Sequence, residues 1–224
     1  MYGFKPERHI VYLPFGAVRT CTPVDKPLDV VMVLDTSSSM LEPAATGGGT
    51  KLDAARAAAG AFLAQLSYDR DRAAVVAFNI GAEEAVALTD DFGRLQAGLA
   101  GLTSRQGTRI DLGLAQGVAT LAAGGRATAK PVVILLTDGL QNVERAPNSA
   151  VLAQGDALKA RGALVYTIGL GNEIDADLLG LVATSPDRFY RSPTTDDLAA
   201  IYAQISERIT CDLGAAALSG RREE

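Results

Sequence analysis

Residues 28–39 read Leu28-Asp29-Val30-Val31-Met32-Val33-Leu34-Asp35-Thr36-Ser37-Ser38-Ser39. A near-continuous apolar run of this length, stopped by an acid, is the pattern of a strand covered on both faces. Strands of that kind belong to parallel sheets with helices on either side. The acid and the row of hydroxyls that follow would then stand at the carboxyl end of a buried strand, where such sheets place their ligands.

The same pattern recurs downstream. Pro131–Thr137 carries Val132-Val133-Ile134-Leu135-Leu136 and ends in Thr137-Asp138-Gly139. Between these two strands the sequence predicts a helix after Thr50, with Leu52, Ala55, Ala59, Phe62, Leu63 and Leu66 on one face. Thr50 and Asp53 have the spacing of a capping box. A strand over 72–80, a more polar edge strand over 84–89, and helices over 91–102 and 111–122 follow. Beyond the second buried strand come a helix over 149–160, a strand over 163–169, a short helix over 175–183 and a short strand over 188–191. The last helix, 195–209, has the cleanest stripe: Leu198, Ile201, Tyr202, Ile205 and Ile209. Strands alternating with helices define an α/β fold, doubly wound around a mostly parallel sheet.

Residues 1–27 carry four prolines and one candidate short strand, 9–15, and read as an extension. Residues 28–211 form the domain, and the Gly/Ala/Ser and charged residues 212–224 read as a tail or linker. There is no internal repeat. No apolar run approaches the ~18 residues of a membrane span, and the first residues lack a signal-peptide core.

Composition removes several kinds of chemistry. The formal net charge is −5, which argues against a nucleic-acid-binding face. One histidine, His9, and two cysteines, Cys21 and Cys211, do not make a Cys/His zinc site or a histidine-dependent triad. Gly169-Leu170-Gly171 lacks the third glycine of a dinucleotide loop. Asp35-Thr36-Ser37 lacks the second aspartate of the haloacid-dehalogenase pattern. No asparagine has Ser or Thr two positions on, so there is no N-glycosylation acceptor.

What remains is an oxygen cluster. Asp35, Ser37 and Ser39 end the first buried strand, and Asp138 ends the second. Gln106-Gly107-Thr108-Arg109 leads into the helix between them. Two carboxylates and three hydroxyls, with no sulfur or imidazole, suit a hard divalent cation. No lysine or histidine is expected close enough to act as acid or base, so the reading is binding and not catalysis.

Asp-x-Ser-x-Ser, a distant Gly-Thr and Thr-Asp-Gly, each at a strand end, resemble the von Willebrand factor type A domain and its metal-ion-dependent adhesion site. The resemblance covers roughly residues 28–209. It implies a six-stranded sheet with one antiparallel edge strand and helices on both faces. It implies that Ser37, Ser39 and Thr108 are direct or near-direct metal ligands. Asp35 and Asp138 would act largely through water and through hydrogen bonds to the serines. Ser38 departs from the glycine many family members carry there. The implied ion is Mg²⁺ or Mn²⁺, with Ca²⁺ as a further candidate. The implied partner is a protein that presents an Asp or Glu carboxylate. Rim candidates are Leu41, Glu42, Arg105, Arg109, Gln141 and Arg145.

In some extracellular members a disulfide joins the two ends of the domain. Cys21, before the first strand, and Cys211, after the last helix, would be that pair, against the alternative of two free thiols. The pair would place the protein in an oxidising compartment. The resulting expectation is a secreted or cell-surface, bacterial adhesion module, monomeric and part of a larger, pilus-associated or surface protein. The competing expectation is an intracellular type A scaffold of an ATPase or chelatase complex.

Overall fold

A computed structural model describes residues 26–45, 48–142 and 144–219, with side chains to residue 209. Its centre is a six-stranded sheet in the order β3-β2-β1-β4-β5-β6. The strands are β1 (Leu28–Asp35), β2 (Arg72–Phe78), β3 (Ala82–Thr89), β4 (Lys130–Thr137), β5 (Leu164–Leu170) and β6 (Phe189–Ser192). All neighbours are parallel except β2 and β3, which pair antiparallel at one edge. The six-stranded sheet with one antiparallel edge strand is therefore present. β3, at this edge, is mostly exposed or half-buried, as its Glu83-Glu84 sequence requires.

Strand order explains the helix placement. From β1 the chain moves one way to β2; from β4 it moves the other way to β5 and β6. Right-handed crossovers in opposite directions must fall on opposite faces. Accordingly α1 (Lys51–Leu63) and α4 (Asn148–Ala160) cover different sides. The first face also carries α2 (Phe92–Ala100) and α6 (Leu198–Ser219). The second carries α3 (Ile110–Gly124) and α5 (Ala176–Val182). Successive β1 residues feed the two cores in turn. Val30, Met32 and Leu34 meet Phe62 and Tyr202, while Val31 and Val33 meet Leu114 and Val151. This is why β1 reads as unbroken apolar sequence and not as an alternation. The reversal of winding between β1 and β4 opens a crevice at their carboxyl ends.

The opposite ends of these strands hold a charge cluster that the apolar reading of β1 passes over. Asp29, 1% exposed, accepts from Arg72 Nε at 3.2 Å and from Arg126 N at 2.6 Å and Nε at 3.0 Å. Burial opposes ionisation of this carboxyl, but the hydrogen bonds and charge of Arg72 and Arg126 prevail and hold it below its usual range.

One boundary differs in kind. The last helix does not stop at Ile209 but continues to Ser219, so Cys211 lies within α6 and not after it. Residues 212–219, Asp-Leu-Gly-Ala-Ala-Ala-Leu-Ser, contain no proline, and their alanines and leucines outweigh one glycine. Cys21 and the candidate strand over 9–15 lie outside the described residues, and with Cys21 goes the expected pairing. Among the described residues no helix is long and apolar enough to cross a membrane.

Candidate functional site

Three loops converge at the crevice. The first leaves β1 and enters a short 3-10 turn, Ser38–Leu41. Ser37 N donates to Asp35 Oδ1 at 2.7 Å, folding the loop back over the strand end. The Ser37 and Ser39 hydroxyls stand 3.0 Å apart, and Ser39 Oγ donates to Asp138 Oδ1 at 2.6 Å. Ser38 sits in the 3-10 turn, and among the described residues no non-glycine has positive φ. The serine thus meets no backbone strain where many relatives have glycine.

Asp35 lies behind the hydroxyls, 0% exposed. Its second oxygen accepts from Thr137 Oγ1 at 2.5 Å. Burial pushes its carboxyl up to about 6, against the hydrogen bonds of Thr137 and Ser37, with the Asp138 charge adding to the rise.

The second loop brings Thr108. It is tied by backbone hydrogen bonds to the turn after β2 and to the loop after β4: Ile80 N to Gln106 O at 3.0 Å, Arg109 N to Asn79 O at 2.8 Å, Asn142 N to Thr108 O at 2.9 Å. Gly107 has φ +85°, and a Cβ there would stand 3.1 Å from Ile80 Cβ. Both facts require glycine immediately before Thr108. The third loop follows β4. A Cβ on Gly139 would lie in ordinary contact with Thr108 Oγ1, at 3.4 Å, which places the Asp138 loop beside the threonine. Four of the five cluster residues are thus carried by the ends of β1 and β4 and the loops after them, and Thr108 comes from the loop between α2 and α3.

The expected rim divides. Leu41 is 53% exposed, and Arg105 and Arg145 are exposed. Glu42 is exposed but ion-paired. Gln141 and Arg109 turn inwards. Gln141 is buried and donates to Asp111 Oδ1 at 2.7 Å. Arg109 grips the same carboxylate, Nε at 2.8 Å and Nη2 at 2.7 Å. These two side chains bolt the Thr108 loop to the Asp138 loop and are not on the rim. The buried Asp111 at the start of α3 gives them a fixed anion, and burying an anion without such partners would be costly. Sequence spacing offers one signal for this, an Arg-x-Asp at a helix start, but none for Gln141. Two exposed apolar residues join the rim instead, Ile80 and Leu140.

Lys51 overturns the expectation that no lysine lies near the cluster. The first residue of α1, it reaches Asp138 Oδ2 at 2.9 Å and Glu42 Oε2 at 2.6 Å. Burial works against its charge, but hydrogen bonds to Glu42 and Asp138 and their charges hold its pKa above the ordinary value. It is the counter-ion of both carboxylates. Its partner is 87 positions away, which hides the pair from sequence spacing.

Among the described residues no three or more His, Cys, Asp or Glu side chains form a metal-holding group. The donors the cluster offers a cation are hydroxyls beside two carboxylates. In an octahedral Mg²⁺ shell of radius about 2.1 Å, neighbouring oxygens are about 3 Å apart. The Ser37–Ser39 pair has that separation, and the all-oxygen donor set fits a hard ion.

A doubly wound α/β domain with an oxygen-only cluster at its topological switch point is a class of ligand-binding domain. The chain belongs to the von Willebrand factor type A domain family, whose model matches residues 29–204. Comparison with curated protein sequences gave no significant match. Among solved structures, the chain is similar to the vWF domain of the type V pili tip protein Mfa5 from Porphyromonas gingivalis. That likeness has 18% identity and a TM-score of 0.71, covering 90% of this chain and 98% of that one. It is also similar to proximal thread matrix protein 1 from the mussel byssus, described with a zinc-occupied MIDAS motif. There the identity is 22% and the TM-score 0.70, over 83% of this chain and 46% of that one. The pilus adhesin SpaC from Lactobacillus rhamnosus GG, in its open conformation, gives 20% identity and a TM-score of 0.70. That match covers 83% of this chain and 30% of the adhesin. This chain thus spans less than half the length of the mussel protein and of SpaC.

Proposed function

We propose that this domain is a divalent-cation-dependent protein-binding module, secreted or at the cell surface, working as one part of a larger adhesive protein. The observation that carries the reading is the chain of oxygens from Ser37 to Ser39, 3.0 Å apart, and from Ser39 to Asp138, with Thr108 beside Gly139 of the same loop. Ser37, Ser39 and Thr108 would hold Mg²⁺ or Mn²⁺, with Ca²⁺ a further candidate. Asp35 and Asp138 spend their oxygens on hydrogen bonds within the protein. They would act behind the hydroxyls or through water. An ion held by neutral oxygens keeps much of its charge, so an Asp or Glu carboxylate from a partner gains by taking an open position.

The rim adds the partner's character. Leu41, Ile80 and Leu140 are 53%, 43% and 57% exposed, three of the four exposed large hydrophobic residues among the described residues. Each belongs to or packs against a loop of the cluster. A partner whose acidic residue stands among apolar neighbours would match this collar, with Arg105, Arg145 and Glu42 as polar contacts around it. The pilus-tip and byssus neighbours support an adhesive setting, and the zinc-occupied motif of the mussel protein supports an ion at this position. A lysine held charged beside the cluster favours binding over catalysis, since a general base must give up its proton near neutral pH.

The test is a Mn²⁺ titration followed by electron paramagnetic resonance on the wild type, Asp35→Ala and Thr108→Ala. One site in the wild type, lost in both variants, is expected. Acetate should then displace water from bound Mn²⁺, read as a fall in water-proton relaxation. A wild type that binds no Mn²⁺ would refute the proposal.

A further inference from the structure

Lys51 is the one cation in direct contact with the cluster among the described residues, and its placement is specific. Its backbone opens α1, with N donating to Glu42 O at 2.9 Å, so the start of the side chain is fixed beside the first loop. Its ammonium then bridges Glu42 and Asp138. The Asp138 side chain is fully buried, whereas that of Lys51 is 20% exposed. Asp138 therefore has two occupied oxygens, one facing the Ser39 hydroxyl and the other facing the ammonium. A buried carboxylate without a cation is strongly disfavoured. The protein supplies that cation itself.

We propose that Lys51 is a tethered counter-cation that stabilises the ion-free site and sets the ceiling on its divalent-ion affinity. The inference rests on the divalent-ion reading and concerns how tightly that ion is held. An ion that takes up the Ser39 hydroxyl stands on one side of the Asp138 carboxylate with the ammonium on the other, and like charges so close repel even at an effective dielectric of about 20. Uptake of the ion must overcome this repulsion or push Lys51 off Asp138 towards Glu42. Glu42, 62% exposed, is placed to receive it. With the ion bound, Glu42 takes over the neutralisation of Lys51, and the divalent ion stands in its place as the counter-charge of Asp138.

The experiment compares Mn²⁺ affinity by calorimetry in the wild type, Lys51→Met and Lys51→Arg, with melting temperatures in chelator and in saturating Mn²⁺. Lys51→Met is expected to bind Mn²⁺ about tenfold tighter, or 1.4 kcal/mol. It should melt below the wild type in chelator and recover that loss with Mn²⁺. Lys51→Arg, which keeps the charge, should stay within about threefold of the wild type. Equal or weaker binding by Lys51→Met, with the wild type binding normally, would overturn the inference alone. A wild type and a folded Lys51→Met that both bind no Mn²⁺ would overturn the ion reading and this inference together.

Discussion

Replacing Asp111 with asparagine keeps the size of the side chain and removes one acceptor and one charge from the bolt between two site loops. The carboxylate receives three hydrogen bonds: 2.8 and 2.7 Å from Arg109 and 2.7 Å from Gln141. Asparagine offers a single carbonyl oxygen and turns an amide N–H towards either Arg109 or Gln141. One arm of the guanidinium fork is lost, and hydrogen bonds to charged groups contribute about 1.5–3 kcal/mol each. The Arg109 side chain is only 17% exposed, so water compensates in part. A net loss of about 2 kcal/mol is expected. For a domain of this size that lowers the melting temperature by about 4–8 °C. The loss is directed at the site, because Thr108 and Asp138 sit on the two loops that the bolt joins. Residues behind metal ligands typically change affinity by ten- to a hundredfold, and about tenfold weaker Mn²⁺ binding is expected. Calorimetric melting and Mn²⁺ titration measure the two effects. A double-mutant cycle with Gln141→Leu isolates their coupling, expected at about 1 kcal/mol. If Asp111→Asn melted within about 1 °C of the wild type and bound Mn²⁺ equally, the backbone hydrogen bonds of the Thr108 loop alone would position the threonine. Asp111 would then play no part in joining the two loops.

Other perturbations test separate parts of the account. Gly107→Ala should cost about 1–2 kcal/mol for a left-handed backbone, plus the push of its methyl against Ile80, and should weaken Mn²⁺ binding. Unchanged melting and binding would show that the turn can reshape freely. Asp29→Asn should destabilise the domain by about 3 kcal/mol at neutral pH, because two partly buried guanidiniums lose their anion. The folded-state pKa of Asp29 is lowered. Its contribution is therefore complete above the unfolded value and lost as pH falls through the lower folded value. Urea midpoints of wild type and variant should converge as pH drops from 6 towards 3, and a constant gap would contradict this. A thiol count on denatured, unreduced protein should find no free thiol if Cys21 and Cys211 pair in an oxidising compartment. Two free thiols would remove the disulfide and turn attention to an intracellular scaffold.

Much of the architecture was legible because it rests on local sequence. An apolar run such as 30–34 can be satisfied only between two helical layers, and Thr50–Asp53 forms the capping box its spacing announces. Strand alternation with helices set the doubly wound class. The five oxygen-bearing residues were legible for a related reason. Four of them terminate or follow a buried strand, and the fold gathers strand ends of the same polarity on one rim; Thr108 leads into the helix α3 between those strands. The extent of α6 was misread because a Gly/Ala/Ser composition suits a linker and a helix alike. Continuation past Ile209 is settled by alanine propensity, with no apolar stripe to mark it.

Partnerships between remote side chains depended on tertiary structure. Nothing local to Asp29 indicates Arg126, 97 positions on, and nothing near Lys51 indicates Asp138. Nor does sequence show that Gln141 turns inwards while its neighbour Leu140 faces out. The physical reason is the range of the forces. Burial periodicity and capping act within one element and leave a repeating trace in sequence. A charge or hydrogen-bond partner is chosen only when two loops meet, and its identity depends on the few ångströms between them.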